Sequence, residues 1–241
     1  MPTSQIASHP SASNLRLYLD TAEINEHERW LPTGLFYGIT CNPLLLERAQ
    51  VPCRIFTLSK LAQRAIALGA KEVHLQAWGS SAKELVSIGT QLRQIHSCVI
   101  VKLPATLAGT TAASTLIASG IPITLTAVYE PRQVLIAAAI GASYVAPYLG
   151  RITDAGKDGL GIVASMQQML NSTHSQTRLL TASIRDVDHI CQLAAQGVDT
   201  FTFSAAIAQA FFNVPATTQA VADFERAAQT MRSPTTTQPT T

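Results

Sequence analysis

The sequence predicts an α/β fold, a single (β/α)8 TIM barrel with an additional C-terminal helix. Three observations carry that prediction. Short β-rich runs recur eight times, and the longer Ala/Leu-rich segments between them have helical spacing, the pattern of βα units around a parallel sheet. Gly69, Gly120, Gly141 and Gly197 each follow a helical run and precede a strand, where a residue tolerant of positive φ closes the helix and turns the chain. A length of 241 residues suits one barrel of this kind.

Taken in order, the expected strands are Leu15 to Leu19, Tyr37 to Thr40, Val73 to Ala77, Val99 to Leu103, Ile123 to Ala127, Tyr144 to Ala146, Arg178 to Ala182, and Thr200 to Phe203. Helices are expected at Arg54 to Leu68, Ser81 to Ile95, Thr106 to Ser119, Pro131 to Ile140, Leu160 to Leu170 and Asp186 to Ala195. The organisation is then a disordered extension over 1–14, the barrel over 15–214, a helix over 215–232, and a disordered Pro/Thr-rich tail over 233–241. In the helix that starts at Pro215, Val221, Phe224 and Ala228 are spaced to line one face.

Composition narrows the function. Hydrophobic residues make up 47% of the chain and charged residues 13%, which fits a compact enzyme-like domain. The net charge of +2 comes with no long basic run, so there is no electrostatic footprint for nucleic acid or an anionic membrane. Cys41, Cys53, Cys98 and Cys191 are far apart and, with the six histidines, offer neither a zinc-ligand spacing nor a disulfide framework; a reducing cytoplasm is expected. The segment from Met1 to Asn14 lacks the charged and apolar regions of a signal peptide. The apolar stretch from Val134 to Gly150 is broken by Gly141, Ser143 and Pro147, and so reads as helix, turn and short strand rather than a membrane span.

In a barrel of this kind the active site lies at the C-terminal ends of the strands. Polar residues collect there: Asp20, Thr40 with Asn42, Gln76, Lys102, Thr126, Tyr148 and Ser183. Lys102 is the most informative, because it interrupts Val99-Ile100-Val101-Lys102-Leu103-Pro104, which otherwise reads as a fully buried strand. A lysine there must be paired, snorkel out or lose its proton, since burial disfavours a lysine's charged form. A neutral amine attacks ketones and aldehydes to give Schiff bases, so the strand proposes covalent carbonyl chemistry.

The motifs around Lys102 sharpen this. Leu17-Tyr18-Leu19-Asp20-Thr21, Gly38-Ile39-Thr40-Cys41-Asn42-Pro43, Val101-Lys102-Leu103-Pro104, Leu125-Thr126-Ala127-Val128-Tyr129, Val145-Ala146-Pro147-Tyr148 and Thr181-Ala182-Ser183 follow one another at one motif per strand. In this set and order the chain resembles the transaldolase family, specifically its fructose-6-phosphate aldolase-like branch. The resemblance implies that Lys102 forms the Schiff base with a ketose phosphate, without a cofactor or metal. It implies that Gln76, Thr126 and Tyr148 hold a water for proton transfer, with Tyr148 as donor and acceptor. Asp20 matches an aspartate that contacts substrate hydroxyls; a strand-end aspartate serves equally as a cap for the next helix. Thr40 and Asn42 match contacts to the dihydroxyacetone part, and Asn42 before Pro43 is also a turn initiator. Phosphate recognition is assigned to Arg151, Ser183 and Arg185, with Ser183 and Arg185 expected to open the helix after the seventh strand and bring its N-terminal N–H groups to the anion.

Gln76 and Tyr148 resemble the aldolase branch, whereas Arg185 and the Gly150 to Gly159 loop, including Lys157, resemble small transaldolases. The implied activity is therefore reversible cleavage of fructose 6-phosphate to dihydroxyacetone and glyceraldehyde 3-phosphate through Lys102. Its alternatives are a transaldolase that passes the dihydroxyacetone unit to an aldose phosphate such as erythrose 4-phosphate, or a non-catalytic sugar-phosphate-binding barrel. The resemblance further implies a homo-oligomer, a pentamer or decamer, with the helix over 215–232 reaching a neighbouring subunit and Phe211, Phe212 and Val214 either anchoring it there or packing within their own subunit.

Overall fold

The computed structural model describes residues 14–232, so the expected disordered extension, apart from Asn14, and the expected disordered tail lie outside the described residues. Eight parallel strands close into a barrel in chain order. They are β1 (Arg16–Asp20), β2 (Gly38–Thr40), β3 (Glu72–Gln76), β4 (Val99–Pro104), β5 (Ile123–Val128), β6 (Tyr144–Pro147), β7 (Arg178–Thr181) and β8 (Thr200–Phe203). Closure is made by β8 against β1, where Arg16 pairs with Thr200 and Leu19 with Phe203. Around the barrel run α1 (Ile24–Trp30), α2 (Pro43–Arg48), α3 (Ile55–Ala67), α4 (Ala82–Ile95), α5 (Leu107–Ala118), α6 (Pro131–Ala139), α7 (Leu149–Asp154), α8 (Gly159–Ser172), α9 (Val187–Ala195), α10 (Ala205–Ala210) and α11 (Pro215–Arg232).

The expected barrel with its extra C-terminal helix is the one observed, with strand ends displaced by at most one residue. β1 begins at Arg16 rather than Leu15 and runs to Asp20, because Asp20 still pairs with Thr40 of β2. The stretch from Val134 to Gly150 is divided among α6, β6 and the start of α7. No helix among the described residues is long and apolar enough to cross a membrane.

Local signals act as their chemistry dictates. Gly69, Gly120, Gly141 and Gly197 all have positive φ, between 72° and 105°, where a side chain would strain the turn. Ser81 and Glu84 form a capping box at the start of α4, and Thr106 caps α5 by accepting from the Gly109 N–H. Gly109 also lets α5 approach β4, since a Cβ there would stand 1.9 Å from the Pro104 carbonyl oxygen.

The strands are buried on both faces. On β4, Val99, Val101 and Leu103 pack outward against the helices in the main core, whereas Ile100 joins Tyr18, Tyr144, Ala146 and Leu180 in a smaller core inside the barrel. That inner core is not purely apolar. Below Lys102, towards the N-terminal end, the Glu72 carboxylate accepts from the hydroxyls of Tyr18 (2.7 Å) and Tyr144 (2.8 Å) and lies 3.3 Å from Arg16. His74, fully buried, has Nε2 3.2 Å from Glu72 and Nδ1 2.9 Å from the Thr124 hydroxyl. A carboxylate only accepts, so Nε2 carries the proton towards Glu72 and the neutral ring accepts from Thr124.

Burial by itself would push the Glu72 carboxyl up, but hydrogen bonds from His74, Tyr18 and Tyr144 hold it down at about 2, against 4.5 in an open chain. Its ionised form therefore contributes stability that is complete above about pH 4.5 and is lost as pH falls through about 2. Burial lowers the His74 pKa from 6.5, so the unfolded chain takes up that proton first and acid destabilises from about pH 6.5 downward. Urea midpoints should fall on acidification, and Glu72→Gln should flatten the part of that fall below about pH 4.5; an unchanged acid slope in the variant would contradict the assignment.

Candidate active site

Lys102 is the fourth residue of β4, and alternation aims it into the barrel above Ile100. It is 4% exposed, with Gln76 and Thr124 as its neighbours in register on β3 and β5. No hydrogen bond or ion pair to its side chain is found among the described residues. The polar groups beneath it satisfy one another, and its amine is left facing upward.

It faces a cavity of about 560 Å³ at the C-terminal ends of the strands. Asp20, Gln76 and Tyr148 line this cavity from the ends of β1, β3 and β6, and Asn42 lines it from the turn after β2. Arg151 from α7 and Ser183 and Arg185 from the loop after β7 also line it. A larger cavity, about 760 Å³, opens at the other end of the barrel beside Glu72, Tyr144 and Arg178, away from Lys102. Size does not single out the candidate site here; the convergence of the Lys102 amine with polar strand ends does.

Thr126 and Thr40 are both fully buried and lie beneath the cavity instead of lining it. The Thr126 hydroxyl is 2.9 Å from that of Tyr148. Tyr148 is further fixed by the ring of Tyr129 at 5.6 Å and by the Arg151 guanidinium 4.9 Å over its own ring. Arg151 in turn donates to the Tyr129 hydroxyl at 3.3 Å. Thr40 donates to Asp20 at 2.6 Å and stands 2.5 Å from the Thr202 hydroxyl, so it reaches the cavity through Asp20. Asn42 caps α2: its side-chain oxygen accepts from the N–H groups of Leu44 and Leu45, a use that leaves its amide NH2 as a donor.

Two ordinary residues adopt left-handed backbone at the rim, Ala127 and Ser183, both with φ of 59°. At Ala127 the cause is a bulge. Leu125 pairs with Val145 but Val128 pairs with Pro147, so β5 carries one extra residue, and such an insertion re-aims neighbouring side chains.

The residues expected to bind phosphate differ from expectation in one respect. Ser183 and Arg185 do not open the helix after β7; α9 begins at Val187 and is capped by Asp186, whose carboxylate accepts from the Asp188 N–H. Asp186 takes the place an anion would need at that terminus. Ser183 and Arg185 instead sit in a loop pinned to the start of α7, where the N–H groups of Leu149 and Gly150 donate to the Ala182 and Ser183 carbonyls at 3.0 and 2.9 Å. Arg185 pairs with Asp154, both at least half exposed, and such surface pairs hold their partners weakly. Lys157 pairs with Glu130, and Asp158 caps α8 by accepting from the Gly161 N–H.

Arg48, in the last turn of α2, also lines the cavity and was not anticipated. The available signal was a basic residue six positions after Asn42 in a segment bound to fold back over the strand end. Trp78 packs against the main core rather than lining the cavity. Cys41 is buried near Lys102, and burial pushes its thiol up to about 12, which disqualifies it as a rival nucleophile at neutral pH. No metal-binding group of His, Cys, Asp and Glu is present among the described residues.

Comparison with known proteins identifies the family. Residues 17–238 match the family described as transaldolase/fructose-6-phosphate aldolase. A probable transaldolase of Exiguobacterium sibiricum is 31% identical over 219 residues, covering 89% of this chain and all of the relative. One from Kosmotoga olearia is 32% identical over 212 residues, covering 87% and 94% of the two chains. Among solved structures, thiamine phosphate pyrophosphorylase from Pyrococcus furiosus superposes with a TM-score of 0.58 at 18% identity, over 80% of this chain and 87% of that one, a likeness of fold alone. With nearly its whole folded length matched, the chain belongs to the transaldolase/fructose-6-phosphate aldolase family and is an enzyme of the aldolase or transaldolase type.

Proposed function

We propose that this protein is a cytoplasmic, cofactor-free class I aldolase that cleaves fructose 6-phosphate reversibly to dihydroxyacetone and glyceraldehyde 3-phosphate. The observation that carries the reading is the unpartnered amine of Lys102 at a cavity that Arg151, Ser183 and Arg185 also line. The amine adds to the C2 carbonyl, and loss of water gives an iminium. A base acting through water removes the C4 hydroxyl proton, the C3–C4 bond breaks, its electron pair is taken up as an enamine, and the aldehyde leaves. Protonation at C3 and hydrolysis release dihydroxyacetone and free the lysine.

Each remaining residue has a place in that sequence. Gln76, Thr126 and Tyr148 hold the water, and Tyr148, fixed by Thr126 and Arg151, passes the proton. Asp20, oriented by Thr40, and Asn42, through its amide NH2, bind the hydroxyls of the dihydroxyacetone part. Arg151, Ser183 and Arg185 take the phosphate, for which guanidinium groups supply paired, charge-assisted hydrogen bonds. The second reading, transfer of the dihydroxyacetone unit to an aldose phosphate, is favoured by the name probable transaldolase carried by the relatives. The two share every step up to the enamine and differ in whether a proton or an aldehyde takes it.

Borohydride reduction with fructose 6-phosphate should leave a covalent adduct on Lys102, and Lys102→Met should abolish it and lower turnover by on the order of 10⁴-fold. Dihydroxyacetone should appear without an acceptor, and Tyr148→Phe should slow that release by about 10²-fold or more while slowing transfer to erythrose 4-phosphate less. Release strictly dependent on the acceptor would establish the transaldolase instead.

The phosphate wall makes a separate prediction. A Cβ on Gly150 would stand 2.3 Å from the Ser183 carbonyl oxygen and 2.8 Å from Arg185 Nε. Gly150→Ala should therefore raise KM for fructose 6-phosphate about tenfold with a smaller change in kcat, the pattern of lost ground-state binding. Equal losses with phosphorylated and unphosphorylated ketoses would count against this placement of the phosphate.

We also propose a pentameric or decameric assembly. Phe211 packs on Phe203 and Phe212 stacks on Trp30 in the same chain, whereas no residue of α11 is buried and Val221 and Phe224 are 53% and 70% exposed. Light scattering should give several times the 25.7 kDa chain mass, and deletion from Pro215 onward should reduce it. A monomer at full length would end the proposal.

A further inference from the structure

We infer that Thr202 of β8 is a positioning residue for the proposed reaction: its hydroxyl, acting through that of Thr40, fixes the Asp20 carboxylate for binding substrate hydroxyls. The inference rests on the reading above in which Asp20 takes the hydroxyls of the dihydroxyacetone part.

Among the described residues, none of β8 lines the cavity that Lys102 faces. Phe201 and Phe203 pack outward in the main core, so alternation turns Thr202 inward, where it is buried. In the closed ring β1 stands between β8 and β2, and Asp20 is the last residue of β1. Thr202 pairs in register with Tyr18 on one side of β1, and Thr40 pairs with Asp20 on the other. The 2.5 Å contact between the two hydroxyls therefore bridges β1 from inside the barrel, joining the strands that flank it.

The bonds in this bridge have a fixed direction. A threonine hydroxyl carries one proton, and a carboxylate only accepts. The Thr40 proton goes to Asp20 Oδ1, 2.6 Å away, so the Thr40 oxygen is the acceptor at its contact with Thr202. Two oxygens 2.5 Å apart with no proton between them would repel. The Thr202 hydroxyl, which has no other partner among the described residues, supplies that proton. Its donation polarises the Thr40 hydroxyl, strengthens the bond to Asp20 and holds Thr40 in the rotamer that serves both neighbours. Asp20 Oδ2 has no protein partner among the described residues and is left for a substrate hydroxyl. Filling the barrel interior would need only the shape of Thr202, which valine reproduces; holding Asp20 needs the hydroxyl.

Calorimetry with glucitol 6-phosphate tests this, because the ligand keeps the sugar hydroxyls but has no carbonyl, and binding is read apart from the chemistry of Lys102. Thr202→Val should weaken binding about fivefold, the scale of one hydrogen bond, and Thr202→Ser should stay within about twofold of the wild type. In an Asp20→Ala background, Thr202→Val should change binding by less than about 1.5-fold, because the group it positions is gone. A general loosening of the barrel would instead give the same loss in both backgrounds. That result, no loss in Thr202→Val, a loss in Thr202→Ser as large as in Thr202→Val, or no binding by the wild type would overturn the inference. Borohydride reduction with fructose 6-phosphate separates this from the Schiff-base reading. A Lys102 adduct beside a Thr202 effect independent of Asp20 keeps the Schiff base and removes the positioning role, and a coupled effect without an adduct does the reverse.

Discussion

The structure depends on how polar groups are shared out inside a closed barrel. A charged or hydrogen-bonding group there has no bulk water to turn to and must find partners among the few side chains that point inward. The lower half of this barrel meets the requirement internally: Glu72 gathers Arg16, Tyr18, Tyr144 and His74, and His74 passes the chain of bonds on to Thr124. Nothing in that set is left over to pair with the lysine above it. The carboxylate that would otherwise have held Lys102 as a structural ion pair is fully engaged below.

The upper half uses a different arrangement, in which buried hydroxyls hold the groups that reach the cavity. Thr40 orients Asp20 and Thr126 orients Tyr148. Both threonines lie on inward positions of strands, where closure of the sheet fixes the backbone, so the groups they hold inherit the rigidity of the barrel rather than the mobility of a loop. The wall proposed to take the phosphate is built the other way. Its residues sit on loops, and their position comes from the backbone bonds between the start of α7 and the end of β7, with Gly150 allowing the close approach.

Much of this is legible in the sequence because period-two alternation in short strands places Asp20, Gln76, Lys102 and Tyr148 at one end of one surface. What is not legible depends on distances across the chain. Glu72 reaches partners 54 and 72 residues away, and no local pattern announces that these strand beginnings meet on the barrel axis. Arg48 belongs to a helix of six residues, too short for a periodic signal, and its place at the cavity follows from where β2 ends. Ser183 and Arg185 were expected at a helix terminus, but Asp186 is the better cap and shifts the start of α9 beyond them. Thr40 and Thr126 alternate correctly, yet the strand pattern does not say how deep a residue sits.

The left-handed backbone at Ala127 and Ser183 bears on any attempt to harden this protein against heat. A non-glycine residue held there costs on the order of 1 kcal/mol, and both line the cavity that Lys102 faces. Glycine at either position would relieve that cost in the folded chain, but it would also let the ends of β5 and β7 explore other geometries, and Tyr148, Ser183 and Arg185 take their positions from those ends. Gains in durability are therefore to be sought among the helices and in the opposite mouth of the barrel, where rigidity and turnover are not drawn from the same residues.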